Sequence, residues 1–198
     1  ATTAPQSVTV GSNGIATYTP SVALDFTNAT KIKAYTATVS ETTVTLTETK
    51  TVAAGEGVII KSVNGGEENE TIAVANPATA TEGNALVGTL VDIDPLATTD
   101  GTYNNYILNV VEGKVGFYQA NDKKVAAGKA YLQVLAATVA EAKALTIVWN
   151  DGETTGIEEN YEFGTMNSDA ATFDLSGRKV ANPAKGLYIK NGKKFIVK

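Results

Sequence analysis

Apolar residues recur at every second position through much of this chain, the spacing of a half-buried β-strand. Val8 and Val10 alternate with polar neighbours over residues 7–10 and then meet the turn signal Gly11-Ser12-Asn13-Gly14. An extended pattern resumes over 15–18, is interrupted at Pro20, and returns with Val22, Leu24 and Phe26. Residues 32–39 and 43–49, separated by Ser40-Glu41-Thr42, read as a hairpin with Val44 and Leu46 on one face. Val58-Ile59-Ile60 is continuously apolar, as in a strand buried on both faces, and 64–70 reads as an exposed loop. The order then recurs: 72–74, an Ala- and Thr-rich loop, 86–93, and a second hairpin over 106–111 and 114–119 turning at Glu112-Gly113. Residues 136–144 are Ala-rich and mark the one place for a short helix, ahead of a strand at 145–149.

The recurrence has a register. Val52-Ala53-Ala54-Gly55 and Val125-Ala126-Ala127-Gly128 share a V-A-A-G-x-small-x-aliphatic pattern at an offset of 73 residues, each after a hairpin. At that offset the turn at 40–43 falls on 113–116. The expectation is an internal duplication of hairpin, glycine corner and buried strand, with the two copies facing one another as a β-sandwich around a shared core.

Composition sharpens this picture. Thr, Val and Ile account for 59 of 198 residues, and their stiff side chains suit a pleated sheet. His and Cys are absent, which removes imidazole acid–base chemistry, thiol nucleophiles, disulfides and the usual zinc, copper or iron–sulfur sites, so no cofactor is expected. No apolar run is long enough to span a bilayer as a helix.

Charge divides the chain. Residues 1–173 carry 20 acids against 9 lysines, whereas 174–198 carry Asp174 against Arg178 and six lysines. Arg178 is the only arginine, and the basic residues are spread over strand and turn positions, so a nucleic-acid partner is not expected. The acidic, Gly-containing stretch 150–160 has linker composition. The expected organisation is a duplicated all-β domain over 1–150, a linker over 151–168 and a small three-strand β unit over 169–198.

That last unit carries the strongest local signal, Asn191-Gly192 between two alternating runs, the dipeptide of a tight hairpin turn. Asp174-Leu175-Ser176-Gly177-Arg178-Lys179-Val180, then Lys185-Gly186-Leu187-Tyr188-Ile189, then Asn191-Gly192-Lys193-Lys194-Phe195-Ile196-Val197-Lys198 resembles the C-terminal sorting domain of secreted and surface proteins of Bacteroidetes that use the type IX route. The stretches 16–26, 33–37, 83–89, 128–132 and 151–157 are similar to a β module found near the end of such proteins. The resemblance implies an extracellular or cell-surface location, export or surface machinery as a partner, and a sorting or docking role for Gly186, Tyr188, Asn191 and Gly192.

Candidate chemistry in the main domain is sparse. Asp92, Asp94, Asn121 and Asp122 offer oxygen ligands, but without the spacing of a calcium loop, and turn capping is their expected use. Glu67, Glu68 and Glu70, and Glu158 with Glu159, are expected to be solvated rather than to act as an acid–base pair. The expectation is therefore a non-enzymatic accessory or adhesion module. The alternative is a carbohydrate-binding module, contacting a glycan or host surface through exposed aromatics, Tyr118 and Trp149 first. Phe117 and its neighbour Tyr118 must face opposite sides of their strand, one inward and one outward.

Overall fold

A computed structural model describes residues 4–150 and, of the rest, the backbone of four short strands between residues 172 and 197. The chain divides into two compact units, residues 1–154 and 155–198. In chain order the first holds β1 (Gln6–Val10), β2 (Ile15–Tyr18), β3 (Leu24–Asp25), β4 (Ile32–Ser40), β5 (Thr43–Thr49), β6 (Thr51–Val52), β7 (Val58–Ser62) and β8 (Glu68–Val74). There follow β9 (Leu86–Thr89), β10 (Ile93–Leu96), β11 (Tyr103–Val111), β12 (Lys114–Gln119), β13 (Lys123–Val125), β14 (Lys129–Leu135), one helical turn α1 (Ala136–Val139) and β15 (Ala144–Asn150). The protein is all-β, as its composition predicts.

Nine strands form one sheet in the order β2-β7-β4-β5-β15-β12-β11-β14-β9. Its two ends come back together, with the Thr19 N–H donating to the Gly128 carbonyl at 2.8 Å and the Thr19 hydroxyl to the Lys129 carbonyl at 2.7 Å. The result is a nearly closed barrel around Tyr35, Leu46, Ile59, Tyr106, Phe117 and Leu132. A smaller sheet, β1-β8-β3-β6, shares a second core with the other faces of β4 and β7 through Val8, Leu24, Ile32, Val58, Ile60 and Ile72. The pair β10-β13 encloses a third with Tyr131 of β14. Val58-Ile59-Ile60 is apolar throughout because Ile59 points into the barrel while its neighbours point into the second core. The two halves thus join edge to edge in one curved sheet, and the sandwich layering is confined to the small outer sheets.

The duplication is visible strand for strand. Thr17 opposite Ile59 is matched by Leu86 opposite Leu132, Leu24 opposite Val52 by Ile93 opposite Val125, and Tyr35 opposite Ile59 by Tyr106 opposite Leu132. Strands β2 to β7 therefore correspond to β9 to β14. The offset is 73 residues only at the glycine corners, where Gly55 and Gly128 both adopt a φ of 78°, a conformation open to glycine without a Cβ clash. At the hairpins it is 71: Val39 opposite Val44 corresponds to Val110 opposite Val115. The sequence register of 73 is thus two residues off at the hairpins, because the second copy is two residues longer between hairpin and corner.

After β7 and after β14 the copies diverge. The first continues into β8, which pairs with β3 and β1. The second continues through α1 into β15, inserted parallel to β5 and antiparallel to β12, where it joins the two copies. The helix propensity of 136–144 is spent in one turn, ended by Ala140 at a φ of 47°, since the following residues are needed as that joining strand.

Glu70 departs from the solvated role expected of it. It lies in β8, not in a loop, and its carboxylate accepts the N–H groups of Thr30, Lys31 and Ile32 at 2.7, 3.0 and 2.8 Å. Partial burial acts to raise its pKa, but these backbone donors and the Thr30 hydroxyl outweigh it and hold the carboxyl below the ordinary glutamate value. The stabilisation this gives is full above the unfolded pKa of about 4.3 and is lost as pH falls through the lower folded value. Urea titrations of Glu70→Gln between pH 7 and pH 3 are expected to show lower stability at pH 7, by about 1–2 kcal/mol, and a shallower acid loss than wild type.

In the second unit β16 (Thr172–Phe173), β17 (Lys179–Val180), β18 (Gly186–Lys190) and β19 (Lys193–Val197) form a four-stranded sheet in the order β17-β16-β18-β19. This is one strand more than expected, because the short β16 pairs with both β17 and β18. Gly186 opens β18, Tyr188 stands opposite Phe195, and Lys190 opposite Lys193. Asn191, Gly192 and the expected linker over 151–168 lie outside the described residues.

Candidate functional site

The inward face of β15 carries Leu145, Ile147 and Trp149, of which Leu145 is buried and Trp149, at the barrel mouth, is half-buried. The Tyr35 and Trp149 rings meet in a T-shaped contact, 4.8 Å between centroids and 77° between planes. On β7 the next inward position after Ile59 is Lys61, whose Nζ sits 4.0 Å from the Trp149 ring centroid in a cation–π contact. Lys61 and Trp149, with Ile15, Val115, Ile147 and the 62–65 segment, line a cleft of about 460 Å³. A second cleft of about 240 Å³ shares Asn13, Ile15 and Val115 with the first and extends past Leu108 and Val110 to Lys129. The two are adjoining halves of one groove.

The groove is electrostatically unlike the rest of the unit. Residues 1–150 hold 14 acids against 9 lysines, yet among the described residues no Asp or Glu lines either half. Its only charged residues among those described are Lys61 and Lys129. Lys31 pairs with Glu68, Lys33 and Lys50 share Glu48, and Lys124 pairs with Asp92; among the described residues the two groove lysines have no carboxylate partner, as is also true of Lys114, Lys123 and Lys143.

The duplication explains why the groove is open on this side. In one half of the barrel the segment entering β9 crosses to β4: the Ala85 N–H donates to the Ala37 carbonyl at 2.8 Å, and the Ala37 N–H to Asn84 Oδ1 at 3.1 Å. Asn84 is held there by donating to the Gly57 carbonyl at 2.9 Å and to Glu56 Oε1 at 3.3 Å. Glu56 is buried, and it also accepts the N–H groups of Ala53 and Thr81. By the strand correspondence, Glu56 becomes Lys129, Asn84 becomes Ile15 and Ala37 becomes Leu108 in the other half. The buried acid and its amide partner are replaced by a lysine and an isoleucine. No backbone hydrogen bond joins residues 15–17 to 108–110, and the gap between them is the smaller half of the groove.

Of the two aromatics singled out from sequence, Trp149 lies in this groove and Tyr118 does not. Phe117 is fully buried inside the barrel, so Tyr118 projects outward, half-exposed beside Gly116, with its hydroxyl donating to the Lys114 carbonyl at 3.2 Å. The two rings belong to opposite faces of the barrel wall. Asp92 serves a turn: it accepts the Ala127 N–H at 2.9 Å beside the Gly128 corner, and the Lys124 ammonium and that N–H hold its carboxyl below the ordinary range. Among the described residues no three of His, Cys, Asp or Glu gather as metal ligands do.

Sequence reading did not select Lys61, Lys129 or Val115. The signal for Lys61 was alternation, since Ile59 and Lys61 share a face; what it lacked was that this face closes on β15, nearly 90 residues away. No protein-family model, curated protein or solved structure matches this chain.

Proposed function

We propose that this protein is a non-enzymatic accessory module of the cell exterior that adheres by binding a glycan in the barrel-mouth groove, with its C-terminal unit serving sorting or docking. The observation that carries the binding half is the groove itself: a cleft of about 460 Å³ with a half-buried tryptophan, apolar walls at Val115 and Ile147, and an asparagine, Asn13, at its edge. Apolar and aromatic walls with a few polar groups are the general make-up of small-ligand sites. Glycan is favoured because it offers both apolar ring faces and hydroxyls. The sorting half is supported by the resemblance of 174–198 alone.

Affinity electrophoresis of the full chain through gels containing soluble polysaccharides tests the binding half. Retardation by at least one polysaccharide is expected, with Trp149→Ala abolishing it and Tyr118→Ala leaving it intact, both variants keeping the wild-type circular dichroism. Retardation lost with Tyr118→Ala and kept with Trp149→Ala would move the site to the outer face and overturn the reading.

A further inference from the structure

Resting on that reading, we infer that the groove is built for an acidic glycan, one whose sugar carboxylate is taken by Lys61 over the Trp149 ring and whose chain runs along the open seam to Lys129. Three observations converge on this.

The first is that the Trp149 ring is not a bare stacking platform. Its T-shaped contact with Tyr35 and the Lys61 ammonium 4.0 Å from its centroid occupy much of it, so a cation is presented to an entering ligand where a flat ring was expected. The cation–π contact fixes the ammonium in place while leaving its charge uncompensated, because the indole is neutral.

The second is the absence of competing acids. Every described lysine–carboxylate pair lies elsewhere, and among the described residues neither half of the groove has an Asp or Glu in its wall. In a unit with more acids than lysines, this leaves the groove as a cationic strip within an anionic surface. Such a strip attracts carboxylates, and with none described in its own wall it is left to take a ligand's.

The third is the substitution pattern across the duplication. Where the closed half has Glu56, buried and hydrogen-bonded to Asn84, the open half has Lys129 beside the gap. The exchange both removes the latch and reverses the charge at that position. A merely unsealed seam needs only the first change.

The test is isothermal titration of the full chain with trigalacturonate and with a neutral trisaccharide, cellotriose, at low and at 0.5 M salt. Trigalacturonate is expected to bind about tenfold or more tighter than cellotriose, the increment of one charge-assisted hydrogen bond. The advantage is expected to shrink in high salt. Lys61→Met, which keeps the stem over the ring, and Lys129→Met are each expected to lose most of the trigalacturonate affinity. Equal affinity for both sugars, or a preference for cellotriose unaffected by either variant, would overturn the acidic-ligand inference while the glycan-binding reading stands. Binding of neither sugar, together with no retardation by any polysaccharide, would overturn both.

Discussion

Glu56→Ala is expected to be among the most destabilising single substitutions in the main unit, lowering unfolding free energy by about 3 kcal/mol. The carboxylate is only 7% exposed and bonds three donors from two separate segments: the Ala53 N–H at 3.0 Å, the Thr81 N–H at 2.8 Å and the Asn84 amide at 3.3 Å. Alanine would take this acceptor from both backbone N–H groups and leave the Asn84 amide only the Gly57 carbonyl. It would also free Asn84 from the position in which it accepts the Ala37 and Leu86 N–H groups. Glu56→Gln, which keeps an oxygen for one side of the network, is expected to cost about half as much. The control is the corresponding residue of the other copy: Lys129→Ala is expected to change stability by no more than about 0.5 kcal/mol, as for an exposed side chain. Asn84→Ala combined with Glu56→Ala in a double-mutant cycle is expected to be less costly than the sum of the two. Additive effects, or a Lys129→Ala cost equal to that of Glu56→Ala, would show that the two seams are held alike.

Gly88→Ala is expected to cost about 3 kcal/mol or more through steric overlap at the point where the barrel closes. A Cβ on Gly88 would fall well inside van der Waals contact distance of the Gly55 carbonyl oxygen and 2.7 Å from both Cγ2 and Oγ1 of Thr19. Gly57 is as crowded from the other side, with Gly88 N at 2.7 Å and the Ala130 Cβ at 2.8 Å. These positions correspond across the duplication: Thr19 stands to Gly57 as Gly88 stands to Ala130. Four small residues therefore meet beside the Thr19–Gly128 hydrogen bond that joins the sheet ends. Gly11→Ala, at a position with nothing within 4 Å of the added carbon, is the matched control and is expected to be near neutral. Thermal unfolding of the three proteins measures the difference, and a Gly88→Ala melting temperature equal to that of Gly11→Ala would show that the sheet ends are not packed in this way.

Much of the fold was legible from alternation. The hairpin strands at 32–40, 43–49 and 114–119, the strand at 15–18 and the doubly buried 58–60 follow from the placement of Val, Ile and Thr, and the duplication from two glycine corners that share one φ. What alternation does not encode is which edges meet. The joining of two copies through β15 depends on a parallel pairing of residues 43–47 with 146–150, for which neither segment carries a local signal. Asn64 to Glu70 looked like a loop because of its acids, yet Glu68 and Glu70 lie in a strand: Glu70 is drawn there by three backbone donors, and Glu68 is paired with Lys31. The groove was half legible. Trp149 was found because an aromatic on a strand near solvent is a chemical signal in itself. Lys61 and Lys129 were not, because a lysine in a strand reads as edge protection until the strand opposite it is known.

The central claim is that the duplicated barrel is latched on one seam and open for a ligand on the other. Trp149 is the only tryptophan in the chain, so its indole N–H gives one unmistakable resonance at the site. Amide and indole shifts of the full chain, followed through a titration with trigalacturonate, test the claim most directly. The account predicts that the Trp149 indole and the amides of Ile15, Leu108 and Val110 move together while those of Ala37, Asn84 and Ala85 stay fixed. Shifts confined to the neighbourhood of Tyr118, or distributed equally over both seams, would contradict it.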